Sequence, residues 1–287
     1  MTMLLIQGSS QVVGAQPDGD SIHFTPDDPN DWNLLHGTNT VHHNGQGRTQ
    51  LRLDAIDATE THYGPNRDHQ LLVPGQRRRR RTAHLPRLQP VPARRERDHH
   101  HHHRHAGRDP GFILTRDADQ FGRCIALVGE GQGPADSGTD VNVDVPLLRT
   151  TANHRLVATG LAYPTFYRNL FPDLRDELTA VAVAARAAGL GLWPQDATTT
   201  GVKITGLTSV TQDAVILPKL FRRLIDYFQL GSFNLDGFPA YLAQRADKYT
   251  ILSTGHFTTG LDFVVKVTNG NTLAMTNPPE DLVFDEA

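Results

Sequence analysis

Cysteine is almost absent from this chain of 287 residues, and several other features are missing as well. Cys124 stands alone, which excludes an intramolecular disulfide framework. Because no run of about 18 apolar residues occurs, the sequence predicts no membrane-spanning helix and no membrane partner. The net charge is −3, so no overall positive field indicates a polyanion partner. The N-terminal stretch MTMLLIQGSS lacks a positively charged region and makes a poor signal peptide. We therefore expect a cytoplasmic protein, with a secreted form left open.

The chain does have enough apolar content to fold. Hydrophobic residues make up 38% of it, which suffices for a real core and for two modest domains. Apolar alternation predicts strands at 3–13, 21–24 and 49–58, and a hairpin at 110–131. Spacing near 3.6 predicts a helix that ends near Gly160 and a second one that begins at an Asp173 N-cap and stops at Gly189. Residues 200–287 show two helical segments and several strands, which indicates a small α+β unit.

Acidic residues cluster where two predicted strands end. The sequence DGD contains Asp18 and Asp20, and the strand LRLDAIDATET ends with Asp57 and Glu60. Carboxylates are the preferred ligands of hard divalent cations such as calcium, and a further acid can act on a nearby water. Taken alone, the sequence Asp-Gly-Asp is more often an ordinary turn.

Two arginines, Arg52 and Arg123, lie among apolar strand residues. The planar guanidinium group donates two hydrogen bonds at once and so suits a phosphate group. An arginine in such a strand more often faces solvent at a sheet edge, so this pattern alone does not decide between the two interpretations.

The order of the motifs carries more information than any one of them. DGDSI, RLDAIDATET, HYGP, DQFGRCIAL, ANHRLVATGLAY and ELTAVAVAARAAGLGLW follow one another between residues 10 and 196. In this order they resemble the micrococcal nuclease (thermonuclease) family. The resemblance implies a five-stranded OB-fold barrel with three helices, and calcium-dependent hydrolysis of phosphodiester bonds in DNA and RNA.

The resemblance also implies a metal site and a general base. Asp20 and Asp57 match the carboxylate ligands of the calcium ion, with Asp18 close to that ion. Ala58 takes the position of a residue that offers its backbone carbonyl; the family usually has threonine there, and a backbone ligand survives that change. Glu60 matches the acid proposed as the general base on the attacking water.

The remaining implied roles concern the substrate. Arg52 and Arg123 match the two catalytic arginines that hold the phosphate and stabilise the charge that develops on it. Tyr163 and Tyr167 fall near nucleotide-contacting tyrosines of the family. Phe121 replaces a tyrosine, which keeps base stacking and loses a hydroxyl contact to phosphate.

Residues 76–109 depart from the family pattern. They hold 11 of the 24 arginines and 7 of the 15 histidines, with almost no apolar periodicity, so we expect disorder. A basic insertion that binds nucleic acid, a metal-binding histidine tract and a cloned tag are three explanations. We favour a fourth, a shifted reading frame, because histidine codons CAC read one base later give ACC for threonine. In that case the first helix that the resemblance implies would be missing.

The sequence thus predicts a mainly β fold with helices. Residues 1–196 would form a nuclease-like OB-fold domain and residues 200–287 an accessory α+β domain. The predicted function is that of a calcium-dependent endonuclease acting on DNA and RNA. The alternatives are an OB-fold protein that binds nucleic acid without cutting it and a damaged pseudo-nuclease. The sequence does not indicate an oligomeric state.

Overall fold

The computed structural model describes residues 1–11, 21–71, 109–231 and 233–285. Three predictions therefore lie outside the described residues: the DGD turn, the calcium ligand role of Asp20 with its neighbour Asp18, and the nature of the Arg/His-rich segment up to residue 108. Within the described ranges, no helix combines the length and the apolar character needed to cross a membrane.

The described residues up to Tyr167 contain nine strands. They are β1 (Thr2–Gln11), β2 (Ser21–Pro26), β3 (Thr49–Leu53), β4 (Ile56–Asp57), β5 (Asp109–Ala118), β6 (Cys124–Glu130), β7 (Asp140–Asn142), β8 (Tyr163–Pro164) and β9 (Phe166–Tyr167).

Five of these strands close into a barrel. The order of neighbours is β1–β2–β3–β6–β5 and back to β1, with β3 and β6 as the parallel pair. This arrangement confirms the predicted mainly β fold with helices and its five-stranded, OB-like barrel. Strand β3 shows how the sequence places the site, since Leu51 and Leu53 are buried while Arg52 between them lies on the other face.

The predicted strand over 49–58 is interrupted in its middle. Ala55 has a φ of 64°, a left-handed conformation that turns the chain between β3 and β4. Asn153 holds this turn, because its side-chain amide donates hydrogen bonds to the carbonyl oxygens of Asp54, at 2.8 Å, and Ala126, at 3.1 Å. The turn directs β4, and with it Asp57, away from the barrel strand and towards β8.

The part of the chain that the structure describes also contains five α-helices: α1 (Val145–Leu148), α2 (Ala152–Ala158), α3 (Pro172–Ala187), α4 (Pro218–Phe228) and α5 (Phe238–Arg245). The single helix predicted to end near Gly160 is in fact α1 and α2. The chain breaks between them because the Thr151 side chain caps α2 by accepting a hydrogen bond from the His154 amide. The predicted Asp173 N-cap was also wrong: Phe171 occupies that position and Asp173 lies in the first turn of α3.

Residues 200–285 form an α+β arrangement that is continuous with the barrel region. One sheet has the order β10 (Val202–Lys203), β14 (Thr272–Met275), β13 (Val265–Thr268). The other has the order β12 (His256–Thr259), β11 (Lys248–Ile251), β15 (Leu282–Phe284), β9. Because β15 pairs in parallel with β9, the end of the chain extends a sheet that begins next to the barrel.

One hydrophobic core joins both parts of the molecule. The buried face of α4, with Leu220, Phe221 and Leu224, belongs to the same cluster as the barrel residues. The leucine spacing of this helix, PKLFRRLIDYF, predicts that it covers a small core of its own; its buried face does form, but the core is shared with the barrel region. Cys124 is fully buried, and burial raises the pKa of its thiol to about 12, which makes it an unreactive core residue.

Candidate functional site

A cavity of about 1170 Å³ lies between the barrel and the C-terminal part of the chain. The barrel contributes residues from β3, from the segment after β4, and from the β5–β6 turn. Helix α4 and the segment after β9 close the other side. The charged residues that line it include Arg52, Asp57, Glu60, Arg123, Lys219 and Arg222.

Asp57 and Glu60 lie close together on the wall of this cavity. Asp57 is the last residue of β4, opposite Tyr163 of β8, and its side chain is only 3% exposed. Glu60 follows in an irregular segment, and its side chain is 13% exposed. Gln70 holds that segment through two hydrogen bonds. Its side-chain oxygen Oε1 accepts from the Glu60 backbone N–H at 3.0 Å, and its backbone N–H donates to the Glu60 backbone carbonyl at 2.8 Å.

A cation from α4 lies between the two carboxylates. Arg222 donates from Nη2 to Oδ2 of Asp57 at 3.0 Å, and its Nη1 contacts Oδ1 of Asp57 at 3.5 Å. Nη1 also donates a hydrogen bond to Oε1 of Glu60. Burial acts to lower the pKa of Arg222, but the charges of Asp57 and Glu60 outweigh it, so the pKa is raised above its ordinary value. Arg222 is therefore a permanent cation at this position.

Sequence reasoning missed Arg222. The sequence of residues 200–287 otherwise indicates no chemistry, and in the helix PKLFRRLIDYF the leucine spacing favours packing on a core over a basic surface for nucleic acid or a partner. The available signal was the pair Arg222–Arg223, which falls between the apolar positions of the helix. The two arginines have different partners, because Arg223 donates to Asp247 at 2.8 Å and 2.6 Å.

Arg52 reaches the cavity from the outer face of β3. Its Nη2 donates a hydrogen bond to the Tyr167 hydroxyl at 2.6 Å, and its guanidinium carbon lies 4.9 Å from the centre of the Tyr167 ring. Tyr167, predicted to contact a nucleotide, thus lines the cavity and holds Arg52 there.

Arg123 lies in the turn between β5 and β6, directly before the first residue of β6. Asp119 organises this turn: its Oδ1 accepts hydrogen bonds from the backbone N–H groups of Phe121, at 3.0 Å, and Arg123, at 2.9 Å. Its Oδ2 accepts from Nε of Arg123 at 2.7 Å. Phe121 is 67% exposed at the rim, with the Arg123 guanidinium 5.8 Å from its ring centre. Asp119 is a second residue that the sequence analysis did not single out.

Tyr163 does not lie in the cavity, although it was predicted to contact substrate. Its side chain is fully buried, and its hydroxyl donates to Oδ1 of Asp196 at 2.7 Å. The ring packs edge-on against Trp193 at 5.3 Å. Burial, together with the charge of Asp196, raises the pKa of Tyr163 well above its ordinary value. In this arrangement Tyr163 is a core residue and has no access to a nucleotide.

The described residues do not form a calcium site in this arrangement. Among them, no group of three or more histidine, cysteine, aspartate or glutamate side chains comes together as metal ligands would. Both oxygens of Asp57 face the Arg222 guanidinium, so the carboxylate that the resemblance assigns to a metal ion has a side-chain cation as its partner. Ala58 follows Asp57 with its side chain buried, and Asp20 lies outside the described residues.

Comparisons with known proteins assign neither a family nor a function to this chain. A scan against protein-family models and a search of curated proteins both found no match to this chain. The function of the site therefore rests on its own geometry and on the motif resemblance.

Proposed function

We propose that this protein hydrolyses phosphodiester bonds of nucleic acid, DNA and RNA, in the cavity between the barrel and α4. One observation carries the proposal: the arginines Arg52 and Arg123 and the carboxylates Asp57 and Glu60 all line that single cavity. Fixed guanidinium groups suit the charge of a phosphate, and a carboxylate beside them can accept a proton from water.

Each residue then has a role in the proposed reaction. A water oxygen attacks phosphorus while Glu60 accepts the water proton. The bond from phosphorus to the leaving sugar oxygen breaks, and that oxygen takes up a proton from solvent. Arg52 and Arg123 bind the non-bridging oxygens, whose negative charge grows in the transition state. The exposed ring of Phe121 offers a surface on which a base can stack.

Calcium is part of the proposal through the motif resemblance alone. The ligands it implies are the carboxylates of Asp20 and Asp57 and the backbone carbonyl of Ala58. Because Arg222 holds Asp57 in the described arrangement, we assign no step of the reaction to the ion.

A digestion assay tests the proposal. The full chain is incubated with labelled single-stranded DNA or RNA in calcium or in a chelator, and binding is followed separately by fluorescence anisotropy. We expect cleavage in calcium, and a Glu60→Gln variant that binds but cuts about 100-fold more slowly or worse. Glu130→Gln is the matched control, because Glu130 pairs with Arg155 outside the cavity.

The alternative results identify the rival functions. Binding without cleavage by the wild-type chain would favour a non-catalytic OB-fold module, which would use the arginines and Phe121 but would not need Glu60. If the chain is folded but neither binds nor cleaves nucleic acid, the proposal is overturned and a pseudo-nuclease is favoured. Cleavage by Glu60→Gln at the wild-type rate would refute the assignment of the general base.

A further inference from the structure

A second pair of arginine and exposed phenylalanine lies on the C-terminal side of the cavity. The Arg168 guanidinium carbon is 5.6 Å from the centre of the Phe257 ring, against 5.8 Å for Arg123 and Phe121 at the barrel rim. Arg168 lines the cavity, as Arg123 does. The proposed reaction uses the first pair for a phosphate and a base and leaves the second pair without a role.

Phe257 is exposed although it belongs to a strand. It lies in β12, at the edge of the sheet with the order β12, β11, β15, β9, and it is opposite Thr250 of β11. Because Phe257 is 47% exposed, this sheet edge offers an aromatic ring to solvent. An exposed ring beside an arginine is a surface on which a nucleotide base can stack, since every base has a π face.

Arg168 is less enclosed than the cations that α4 brings to the cavity. Its side chain is 59% exposed, against 24% for Arg222 and 20% for Arg223, which both donate to buried carboxylates. The acidic neighbour of Arg168 is Asp285, with Nε 3.2 Å from Oδ1. Among the described residues, this ion pair and the ring contact are the interactions of the guanidinium group. Its Nη1 and Nη2 can therefore donate hydrogen bonds to a phosphate.

The backbone connects this second pair to the proposed phosphate site. Arg168 follows Tyr167, whose hydroxyl accepts the hydrogen bond from Arg52. The residues Tyr167, Arg168 and Asn169 line the cavity one after another. The backbone N–H of Arg168 donates to the Phe284 carbonyl at 3.3 Å, which fixes this segment to β15. The wall of the cavity therefore continues from the proposed phosphate site to Arg168.

We propose that Arg168 and Phe257 form a second nucleotide subsite of this cavity. Arg168 binds a further phosphate of the substrate, and Phe257 stacks on an unpaired base. The inference rests on the proposed function, because it takes nucleic acid as the substrate. It extends the site from one scissile phosphate to a single-stranded segment of more than one nucleotide. A base inside a duplex is stacked between its neighbours, so the subsite takes an unpaired nucleotide.

Fluorescence anisotropy with a labelled single-stranded DNA of about 12 nucleotides tests the stacking surface. All variants are made in the full chain carrying Glu60→Gln, which keeps the DNA intact. We expect Phe257→Ala to bind about fivefold more weakly or worse, because one base loses its stacking surface. Phe263→Ala is the matched control: Phe263 is 60% exposed, and within the described ranges no arginine lies over its ring. Its affinity should equal that of the background protein.

The salt dependence of binding tests the phosphate contact. Each phosphate contact to a single strand contributes about 0.7 to the slope of log affinity against log salt concentration, so Arg168→Gln should bind more weakly and with a slope smaller by about that amount. Arg245→Gln is the matched control. The Arg245 guanidinium also lies 5.6 Å from a ring centre, that of Tyr241, and pairs with Asp226 at 3.3 Å. Among the described residues Arg245 is not part of the cavity lining, so its slope should be unchanged.

The outcomes separate this inference from the proposed function. Unchanged affinity in Phe257→Ala, or an unchanged salt slope in Arg168→Gln, would overturn the subsite. Cleavage by the chain that retains Glu60 would then leave the nuclease proposal standing. An equal loss of slope in Arg245→Gln would also overturn the phosphate contact, because the effect would be one of overall charge. If no protein in the series binds the DNA, both proposals fail.

A second variant keeps the test decisive if Phe257→Ala does not fold, as judged by circular dichroism. Phe257→Leu keeps an apolar side chain at the sheet edge but removes the aromatic face. We expect it to bind the DNA more weakly than the background protein, by a smaller factor than the loss expected for Phe257→Ala. An affinity equal to that of the background protein would overturn the inference.

Discussion

The Arg52 guanidinium donates a hydrogen bond to the Tyr167 hydroxyl at 2.6 Å and lies over its ring, 4.9 Å from the centre. This contact joins β3 of the barrel to β9, and β9 pairs in turn with β15 from the end of the chain. A residue of the C-terminal sheet thus orients one of the two arginines proposed to bind phosphate. The orientation of the arginine, and not only its presence, depends on residues more than 100 positions away.

Replacing Tyr167 with phenylalanine tests the hydrogen bond by itself. The ring and its packing against Phe284 remain, while Arg52 loses one oriented partner. We expect KM for an oligonucleotide to rise and kcat/KM to fall about tenfold, with the free energy of unfolding changed by about 1 kcal/mol or less. Steady-state cleavage and a denaturant melt measure the two effects. Tyr241→Phe, in α5 and outside the cavity, is the control, and an unchanged KM in Tyr167→Phe would contradict the positioning role.

Asp119 combines two functions that two substitutions can separate. Asp119→Asn keeps an oxygen for the backbone N–H groups of Phe121 and Arg123 but loses the second carboxylate oxygen, which holds Nε of Arg123. We expect this variant to melt near the wild-type temperature and to bind substrate more weakly. Asp119→Ala removes both contacts and should also destabilise the fold by about 1–3 kcal/mol. Equal unfolding free energies for the two variants would refute this division of roles.

Local patterns in the sequence were sufficient to predict most of the barrel. Alternation in TQLRL buries Leu51 and Leu53 and leaves Arg52 on the opposite face, and the β5–β6 hairpin follows from two apolar runs around an Asp-rich turn. The motif order also led to four residues that line one cavity, Arg52, Asp57, Glu60 and Arg123. Their chemical roles stay predictions.

Contacts between residues far apart in the chain have no local signal in the sequence that identifies the partner. Arg222 is 162 positions from Glu60, and no spacing within α4 indicates that pairing. Tyr163 and Tyr167 look alike in the stretch AYPTFY, yet β8 turns the first into the core and β9 places the second in the cavity. Which of the two tyrosines faces the cavity depends on the pairing of β8 and β9 with strands that are distant in the sequence.

Gln70 provides a test of the connection between Glu60 and α4. Its side chain is fully buried and satisfies the Glu60 N–H and the Ile216 carbonyl at the same time. Gln70→Leu keeps the volume and leaves both backbone groups without this partner, which should destabilise the protein by about 2–4 kcal/mol in a denaturant melt. Cleavage should fall as well, because Glu60 loses its support. Gln195→Leu, outside the cavity, is the comparison variant; a wild-type melt for Gln70→Leu would contradict the prediction.

Glu177 of α3 gives the protein a predictable response to acid. Its carboxylate accepts hydrogen bonds from Arg149 at 2.8 Å and 2.7 Å, and Nε2 of His154 lies 2.8 Å from Oε1. The hydrogen bonds from Arg149 lower the pKa of Glu177 from 4.5 to about 2, against the opposing effect of burial and with help from His154. Because the folded pKa lies below the unfolded value, the ionised carboxylate stabilises the fold fully above pH 4.5. That contribution is lost as the pH falls towards 2.

We therefore expect the free energy of unfolding of the wild type to fall more steeply between pH 4.5 and 2 than that of Glu177→Gln. Urea melts at a series of pH values measure this difference. Asp176→Asn removes one carboxylate from the adjacent position of α3 and serves as the control. Since Arg149 is largely exposed, added salt should reduce the difference between the wild type and Glu177→Gln. Parallel pH profiles for these two proteins at low salt would show that the Arg149–Glu177 pair contributes nothing to stability.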